Sequence, residues 1–333
     1  MPVKPFLIIH CGSRQHWHGA WPVAGIHIPT SIHMPNVVLI TGASTGFGFR
    51  SAKQLARQGY HVYASMRQVN GKNAPFAGEL RDFASTHHCK LEPIELDVTD
   101  EVSVNGAVAQ IAAQAGKIDV LVNNAGIWGP GVLEAFSMDD WKGIFEVNLF
   151  GSVRAARAVL PYMRRAGSGL IVQISSLQGR FILPYSGPYV ASKFAVEAAM
   201  ETFRYESAPY GVDVCIIQPY DFMTEMKQKA ASHQPTDAER NALFAEANEL
   251  IQKMYLVPDP GRVGDPQEVV DAISTLIGTP AGTRPIRTTV RNPMPQIEQI
   301  NLLSVEMHAQ LFPYIGLGDL LHVKLREQDG VTY

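Results

Sequence analysis

Short strand-like runs of apolar and β-branched residues alternate along this chain with longer segments whose apolar positions follow a helical period. The strand-like runs lie at residues 37–40, 61–65, 90–96, 118–122, 170–174, 212–217 and 284–290. The helical segments lie at residues 49–58, 102–115, 138–165, 189–204 and 266–277. Such runs are typical of parallel strands that are covered on both faces. The alternation predicts an α/β fold in one domain, with a doubly wound parallel sheet of about seven strands.

The beginning of the chain and one internal segment depart from this alternation. Residues 1–35 show no sustained period and hold five of the eleven histidines, so we interpret them as a poorly ordered N-terminal extension. Met34 stands just before the first strand and is a candidate for the true start of the functional chain. Residues 36–293 form the predicted domain. Within it, the insertion at residues 225–262 is expected to cover a substrate.

The end of the chain is predicted to be a helical tail, residues 294–333. Ile300, Leu303, Met307 and Leu311 recur there at helical spacing. An apolar stripe of this kind faces either a core or another subunit. We therefore expect it to be core or a subunit contact.

Composition excludes several classes of protein. Apolar residues make up 46% and charged residues 18%, which is typical of a soluble globular protein. The net charge of -3 gives no basic footprint for nucleic acid, and no apolar run is long enough to predict a membrane span. The three cysteines, Cys11, Cys89 and Cys215, are scattered, which indicates a reducing, cytoplasmic location. Cys11 with His16 and His18 lacks an evident fourth ligand, so no metal site is predicted.

A glycine-rich turn follows the first strand directly and leads into a helical segment. The residues assigned to this turn are Gly42, Ser44, Thr45, Gly46, Phe47 and Gly48. Glycines let the backbone approach a pyrophosphate closely, and the helix N-terminus offers free N–H groups. The order of strand, turn and helix predicts a phosphate site. Gly42, Ser44 and Gly46 also fit the nucleophile elbow of a serine hydrolase, so that reading competes.

Tyr189 and Lys193 form the second chemical signal. They lie four residues apart, which on a helix places both side chains on one face. Lowering a phenol pKa from 10 to about 7 takes roughly 4 kcal/mol, and a neighbouring ammonium supplies part of it. Ser176, 13 residues before Tyr189, offers a hydroxyl to the same substrate oxygen. The three residues are candidates for proton transfer.

These motifs together resemble the short-chain dehydrogenase/reductase family. The chain carries its TGxxxGxG turn from Thr41, the NNAG segment from Asn123, and Tyr189-x-x-x-Lys193 in the family's order. The resemblance covers residues 36–290 and implies a Rossmann-type fold. The strand end from Tyr63 to Arg67, Tyr-Ala-Ser-Met-Arg, and the long C-terminal part are similar to the 17β-hydroxysteroid and retinol dehydrogenase-like branch.

The resemblance also implies roles for further residues. Those expected beside the cofactor are Asp97, Val98, Asn124, Ala125, Gly126, Pro219 and Thr224. Asn148 matches an asparagine that holds a water linking the lysine to solvent in the family. Tyr220 replaces a glycine of the family's PGxxxT loop, which puts the path of that loop in doubt.

The end of the second strand bears on the choice of cofactor. An acidic residue there holds the ribose 2′-hydroxyl of NAD, whereas an arginine accommodates the 2′-phosphate of NADP. This chain has Arg67, with no carboxylate at Ser65 or Met66. The sequence therefore favours NADP(H) over NAD(H).

We therefore predict an oxidoreductase that interconverts a carbonyl and a secondary alcohol on an apolar substrate. Tyr189 is expected to exchange the proton with the substrate oxygen, helped by Ser176 and Lys193. The alternatives are an NADP-binding sensor or scaffold without turnover and a serine hydrolase that uses Ser44. Family members are usually homodimers or homotetramers, and the resemblance implies the same here.

Overall fold

The computed structural model describes residues 37–256 and 263–325. The predicted N-terminal extension, including Met34 and the Cys11, His16 and His18 group, lies outside the described residues.

Seven parallel strands form one sheet in the order β3-β2-β1-β4-β5-β6-β7. They are β1 Val37–Ile40, β2 His61–Met66, β3 Leu91–Glu95, β4 Val120–Asn123, β5 Gly169–Ile174, β6 Val212–Pro219 and β7 Arg287–Val290. In the centre of the sheet Val38 pairs with Val120, and Val120 pairs with Leu170. The strand order reverses between β1 and β4, which creates a crevice at the carboxyl ends of these strands. The predicted doubly wound sheet is confirmed.

Helices cover both faces of the sheet. They are α1 Gly46–Arg57, α2 Ala74–His87, α3 Glu101–Ala115, α4 Met138–Phe145, α5 Gly151–Ala166, α6 Gly187–Ser207 and α10 Gln267–Gly278. One core lies between the sheet and α1, α2 and α10, and the other between the sheet and α3, α5 and α6. Within the described part of the chain, no helix has both the length and the apolar character needed to cross a bilayer.

The helix α2 was missed by the sequence pattern. It buries only Ala77 and Leu80 of its fourteen residues, so its apolar period is weak. Its boundaries depend on local signals, with a proline in the first turn and a left-handed cap at His88.

The predicted helix at 138–165 is interrupted. A π-helical turn at Glu146–Phe150 joins α4 to α5 and contains the buried Asn148. At the start of α5, a Cβ on Gly151 would lie 2.9 Å from the Val98 side chain. The close approach of the helix to the loop after β3 therefore requires glycine at this position.

Several short helices form the insertion after β6. They are α7 Glu225–Lys229, α8 Ala238–Ala242 and α9 Ala245–Ile251, followed by a π-helical turn at Gln252–Leu256. The last part of the predicted insertion, residues 257–262, lies outside the described residues.

The tail helix α11, Pro295–Tyr314, packs with its apolar stripe facing outward. Ile300, Leu303, Met307 and Leu311 are 41%, 63%, 55% and 43% exposed. The expectation that this stripe is core was therefore wrong, while its use as a subunit contact remains a prediction. The opposite face holds the helix through the buried Ile297, the contact of Phe312 with the Tyr205 ring, and Asn301, which accepts a hydrogen bond from Arg180 and donates one to Gln218.

A buried hydroxyl joins the ends of β1 and β4. Thr41 is 1% exposed, and its Oγ1 accepts hydrogen bonds from the backbone N–H groups of Asn124 at 3.0 Å and Ala125 at 3.1 Å. The Asn124 side chain donates in return to the carbonyls of Thr41 and Gly42. The glycine turn and the NNAG segment are thereby fixed to each other at the crevice.

Replacing this hydroxyl tests the junction. Thr41→Val keeps the shape but leaves two buried N–H groups without an acceptor, so we expect a loss of about 2 to 4 kcal/mol in the free energy of unfolding. Urea denaturation measures it. Thr275→Val on α10, where the exposed hydroxyl bonds to Asp271, is the control and is expected to lose less than about 1 kcal/mol. Equal losses in both variants would contradict the role of Thr41.

Candidate active site

A cavity of about 590 Å³ lies at the carboxyl ends of the strands. Sixteen of the residues predicted from the sequence line it: Gly42, Ser44, Thr45, Gly46, Phe47, Arg67, Asp97, Val98, Asn124, Ala125, Gly126, Ser176, Tyr189, Lys193, Pro219 and Thr224. Gly48 and Asn148 lie behind this lining. The structure therefore brings the two chemical signals of the sequence, the glycine turn and the Tyr189–Lys193 pair, to one cavity.

The glycine turn forms a cradle that side chains would fill. Gly42 and Gly46 have φ values of +65° and +61°, in the left-handed region. A Cβ on Gly42 would lie 2.8 Å from Cα of Ala125, and one on Gly48 would lie 2.5 Å from Nδ2 of Asn124. Gly42 thus permits the turn itself, and Gly48 lets α1 approach the NNAG segment closely.

The N-terminus of α1 points its free N–H groups into this cradle. Thr45 is the N-cap residue, and within the described part of the chain its side chain makes no capping hydrogen bond. The first turn of α1 also contains no acidic residue. Uncapped N–H groups at the positive end of the helix dipole fit a pyrophosphate. The residues present therefore fit a dinucleotide.

Arg67 and Asp97 lie at the far end of the cavity, below the ends of β2 and β3. The Arg67 side chain is 63% exposed, and its Nη1 lies 3.9 Å from the Asp97 carboxylate. Asp97 also accepts hydrogen bonds from the backbone N–H and hydroxyl of Thr99, which shapes its loop. Lys72, which the sequence argument did not consider, lines the same end. Two cationic side chains thus reach one end of the cavity.

Ser176, Tyr189 and Lys193 meet at the opposite end. β5 delivers Ser176 at its carboxyl end, while Tyr189 and Lys193 lie on α6, which has Pro188 in its first turn. The Ser176 hydroxyl accepts a hydrogen bond from the N–H of Gln178 at 3.1 Å, and it lies close enough to the Tyr189 hydroxyl to lower the pKa of that phenol. The Lys193 Nζ donates to the carbonyl of Ile174 at 3.0 Å and lies 5.5 Å from the centroid of the Tyr189 ring.

Burial dominates the titration of this pair. Loss of solvent raises the pKa of Tyr189 to about 12, against a smaller lowering by the Ser176 hydrogen bond, and it lowers the pKa of Lys193 to about 8. Burial therefore opposes the lowering of the Tyr189 pKa toward 7 that the neighbouring ammonium was expected to favour. Water no longer solvates the phenolate, and the ammonium faces the ring and the Ile174 carbonyl.

Asn148 lies behind the cavity and holds the loop after β4 through hydrogen bonds. The side chain is in the π-helical turn, accepts a hydrogen bond from the N–H of Ile127 at 2.8 Å and donates to the Ile127 carbonyl at 3.0 Å. It also donates to the Ser192 hydroxyl at 3.0 Å. Asn148 thereby connects the loop after β4 to the middle of the Tyr189–Lys193 segment.

Aromatic residues cover the cavity next to Tyr189. Trp128 packs on Tyr189 and lies 5.7 Å from the Tyr255 ring, and its Nε1 donates to the Ser186 hydroxyl. The Tyr255 hydroxyl in turn donates to the carbonyl of Pro184 at 2.5 Å. The inserted segment therefore closes on the link between β5 and α6.

Besides Lys72, two more residues in or beside this site, Trp128 and Lys229, were missed by the sequence analysis. Trp128 follows the NNAG segment by two residues, and this position at a strand end was an available signal. Lys229 of α7 donates to the Thr45 hydroxyl at 3.2 Å, so a cation from the insertion reaches the glycine turn. Nothing in the local sequence around Lys229 predicts that contact, because it depends on how the insertion folds back.

A doubly wound sheet with a glycine cradle at its first helix defines a protein of the Rossmann class. A family model described as short chain dehydrogenase matches residues 36–235. The chain belongs to this family of oxidoreductases that act on alcohol and carbonyl groups.

Individual relatives agree with this assignment. The 3-ketodihydrosphingosine reductase of Bacteroides thetaiotaomicron is 41% identical over 190 residues, which cover 57% of this chain and 65% of the reductase. The uncharacterized oxidoreductase YusZ of Bacillus subtilis is 32% identical over 292 residues, 87% of this chain and 98% of YusZ. A solved alcohol dehydrogenase from Thermococcus sibiricus, complexed with 5-hydroxy-NADP, has a TM-score of 0.62 at 26% identity and covers 78% of this chain and 99% of that one.

The cradle geometry gives a direct test of dinucleotide binding. In Gly42→Ala the new Cβ meets the Ala125 backbone at 2.8 Å in a left-handed conformation, so we expect NADPH affinity to fall at least about tenfold. Quenching of protein fluorescence measures it. The control is Gly78→Ala in α2, where a Cβ meets nothing within 4 Å among the described residues and affinity should not change. Unchanged affinity in Gly42→Ala would contradict the cradle.

Proposed function

We propose that this protein is an NADP(H)-dependent oxidoreductase that interconverts a carbonyl and a secondary alcohol on an apolar substrate. Tyr189 is the proton donor in reduction and the acceptor in oxidation. The observation that carries the proposal is that Ser176, Tyr189 and Lys193 line one end of the cavity that begins at the glycine cradle, with the Lys193 ammonium 5.5 Å from the centroid of the Tyr189 ring.

The proton moves at the Tyr189 hydroxyl. In reduction this hydroxyl gives its proton to the substrate oxygen as negative charge develops there, and the Ser176 hydroxyl donates a hydrogen bond to the same oxygen. A pKa raised to about 12 keeps the phenol protonated at neutral pH, which suits the donor role. In oxidation the phenolate must form, so more positive charge is needed beside it.

Lys193 supplies part of that charge. Its pKa, lowered to about 8 by burial, leaves it mostly protonated at neutral pH. Asn148 holds the segment that carries Tyr189 and Lys193 through its bond to Ser192, and we assign it to the proton route from Lys193 to solvent. Bound NADP(H) supplies or accepts the hydride.

NADP(H) would be held along the whole cavity. The α1 N-terminus and the glycine turn would bind the pyrophosphate, and Asp97 and Val98 would contact the adenine. Asn124, Ala125 and Gly126 would hold the middle of the dinucleotide, and Pro219 and Thr224 would contact the nicotinamide end.

The preference for NADP(H) over NAD(H) is supported by charge. Arg67 lines the cavity at the end of β2, where Ser65 and Met66 provide no carboxylate, and Lys72 adds a second cation. The dehydrogenase from Thermococcus sibiricus is complexed with an NADP derivative. Both observations favour a ligand with a 2′-phosphate.

An apolar substrate is supported by the side chains around Tyr189. Trp128, Leu183, Met226, Met254 and Tyr255 line this part of the cavity. Apolar and aromatic walls with a few polar groups at the reacting end are typical of sites for hydrophobic ligands. The Bacteroides relative is named for the reduction of a keto compound, which agrees with the reaction class.

The other readings receive less support. A sensor without turnover has no use for a buried phenol beside Ser176 and Lys193. A serine hydrolase that uses Ser44 is disfavoured because the chain belongs to an oxidoreductase family. We retain a cytoplasmic homodimer or homotetramer as the expected state of the protein.

Removing the phenol hydroxyl tests the proposed proton donor. We expect Tyr189→Phe to keep NADPH affinity within about twofold and to lower kcat for carbonyl reduction by about 10² to 10⁴, the usual contribution of a general acid. The assay follows NADPH absorbance with a panel of aliphatic, aromatic and steroidal ketones. Tyr210→Phe, at a residue 51% exposed, serves as the control. Full activity in Tyr189→Phe would remove Tyr189 from the mechanism.

Cofactor choice is tested at Arg67. Arg67→Ala removes the proposed partner of the 2′-phosphate, a charge-assisted contact of about 1.5 to 3 kcal/mol, so KM for NADPH should rise at least about tenfold. KM for NADH should change little. Arg57→Ala, at the exposed end of α1, is the matched control. A wild-type protein that prefers NADH would overturn the assignment.

A further inference from the structure

A cluster of four charged side chains lies behind the cavity. It consists of Glu197 and Glu201 of α6, Arg287 of β7, and Arg180, which follows a 3-10 turn at Leu177–Gly179. Glu197 is 1% exposed, and the side chains of Arg287, Glu201 and Arg180 are 3%, 12% and 17% exposed. The mechanism above does not use these groups, although burying them is costly.

Glu197 is the centre of this cluster. Its Oε2 accepts a hydrogen bond from Arg287 Nε at 2.9 Å and lies 3.2 Å from Arg180 Nε. Its Oε1 accepts a hydrogen bond from Gln218 Nε2 of β6 at 2.7 Å. One carboxylate therefore joins α6 to β6, to β7 and to the residue after the 3-10 turn.

The carboxylate also touches the turn that begins at Ser176. A Cβ on Gly179 would lie 2.8 Å from Glu197 Oε1 and 3.0 Å from Ser175 Oγ, so the turn backbone packs directly on Glu197. The turn is closed by the Gly179 N–H, which donates to the Ser176 carbonyl at 2.9 Å. The position of Ser176 relative to α6 is thus set by the contact with Glu197.

Glu197 lies one helical turn beyond Lys193. Tyr189, Lys193 and Glu197 recur at intervals of four along α6 and share one face of it. Burial lowers the pKa of Lys193, and the negative charge of Glu197 opposes that lowering. In low dielectric, a carboxylate at this spacing favours the ammonium form of the lysine.

We propose, on the basis of the function assigned above, that Glu197 is a positioning residue: its carboxylate fixes the Ser176 turn against α6 and keeps Lys193 positively charged beside Tyr189. Glu197 faces Arg180 after the 3-10 turn, Arg287 on β7, neutral Gln218 on β6 and Lys193 on its own helix. Glu201 lies one helical turn beyond Glu197 on α6, and its carboxylate is 3.3 Å from Nδ1 of His308 on α11.

The sign of the effect follows from these neighbours. Glu197→Gln removes the negative charge nearest Lys193 and leaves Arg180 and Arg287 with one acid fewer, and both changes lower the pKa of Lys193. A lysine that loses its proton earlier stabilises the Tyr189 phenolate less. The pKa of Tyr189 is therefore expected to rise.

The first readout is the ionisation of Tyr189 with NADP+ bound. The ultraviolet absorbance of tyrosinate is followed from about pH 6 to 12 in each protein, and the same protein carrying Tyr189→Phe is subtracted. We expect Glu197→Gln to raise the midpoint by at least about half a pH unit. Glu201→Gln removes a carboxylate from the same cluster one turn further away and should leave the midpoint in place. Equal midpoints in Glu197→Gln and the wild type would overturn the charge role.

The second readout is hydrogen exchange of the Gly179 and Arg180 amides, which close the turn after Ser176. Exchange should be at least about tenfold faster in Glu197→Gln than in Glu201→Gln, because only the first variant weakens the contact with the turn. Equal protection would overturn the positioning role. If Glu197→Gln does not fold, Glu197→Asp keeps the charge but shortens the side chain. Its midpoint should then stay unchanged while turn exchange accelerates, and slow exchange would contradict the proposal.

The proposed function and the role of Glu197 are tested by different variants, so either one can fail without the other. Full carbonyl reduction by Tyr189→Phe would end the proton-donor assignment whatever Glu197 does. Loss of reduction in Tyr189→Phe together with unchanged readouts in the Glu197 variants would end only the inference about Glu197.

Discussion

The Thr41 hydroxyl, buried where β1 and β4 end side by side, is the contact on which the site depends. It accepts hydrogen bonds from the backbone N–H groups of Asn124 and Ala125. The side-chain amide of Asn124 donates hydrogen bonds to the carbonyls of Thr41 and Gly42. The loops on the two sides of the switch point are tied together because a side chain of each loop satisfies backbone groups of the other. These hydrogen bonds therefore set the position of the glycine cradle relative to the NNAG segment.

At the end of the cavity that holds Tyr189 and Lys193, burial rather than hydrogen bonding is the main influence on the chemistry. Tyr189 and Lys193 are both buried, so each is shifted toward its neutral form, with a raised pKa for the phenol and a lowered one for the amine. Burial therefore opposes the charged pair that oxidation requires. Charges outside the reacting atoms must offset it, and Glu197 lies in position to do so.

Polar contacts also attach the insertion after β6 and the helix α11 to the rest of the domain. The insertion closes on the cavity through Tyr255 and Trp128, and α11 is attached through Asn301 and His308. The outward apolar stripe of α11 shows that a helical apolar pattern identifies a helix without identifying which face the protein buries. Here the buried face of α11 is partly polar because it meets Arg180, Gln218 and Tyr205.

The sequence by itself determined the order and type of most sheet elements, because runs of apolar residues and glycine turns are local signals. Its motifs also placed the glycine turn, Ser176, Tyr189 and Lys193 at one edge of the sheet, because the carboxyl ends of parallel strands meet there, and the family resemblance added further residues that line the cavity. Only the tertiary structure decided the titration of Tyr189, the contacts of Lys229 and Glu197, and the direction of the α11 stripe. Each of these depends on residues that are distant in sequence. Such residues exclude water from a side chain or place a charge beside it, and a local sequence pattern contains neither kind of information.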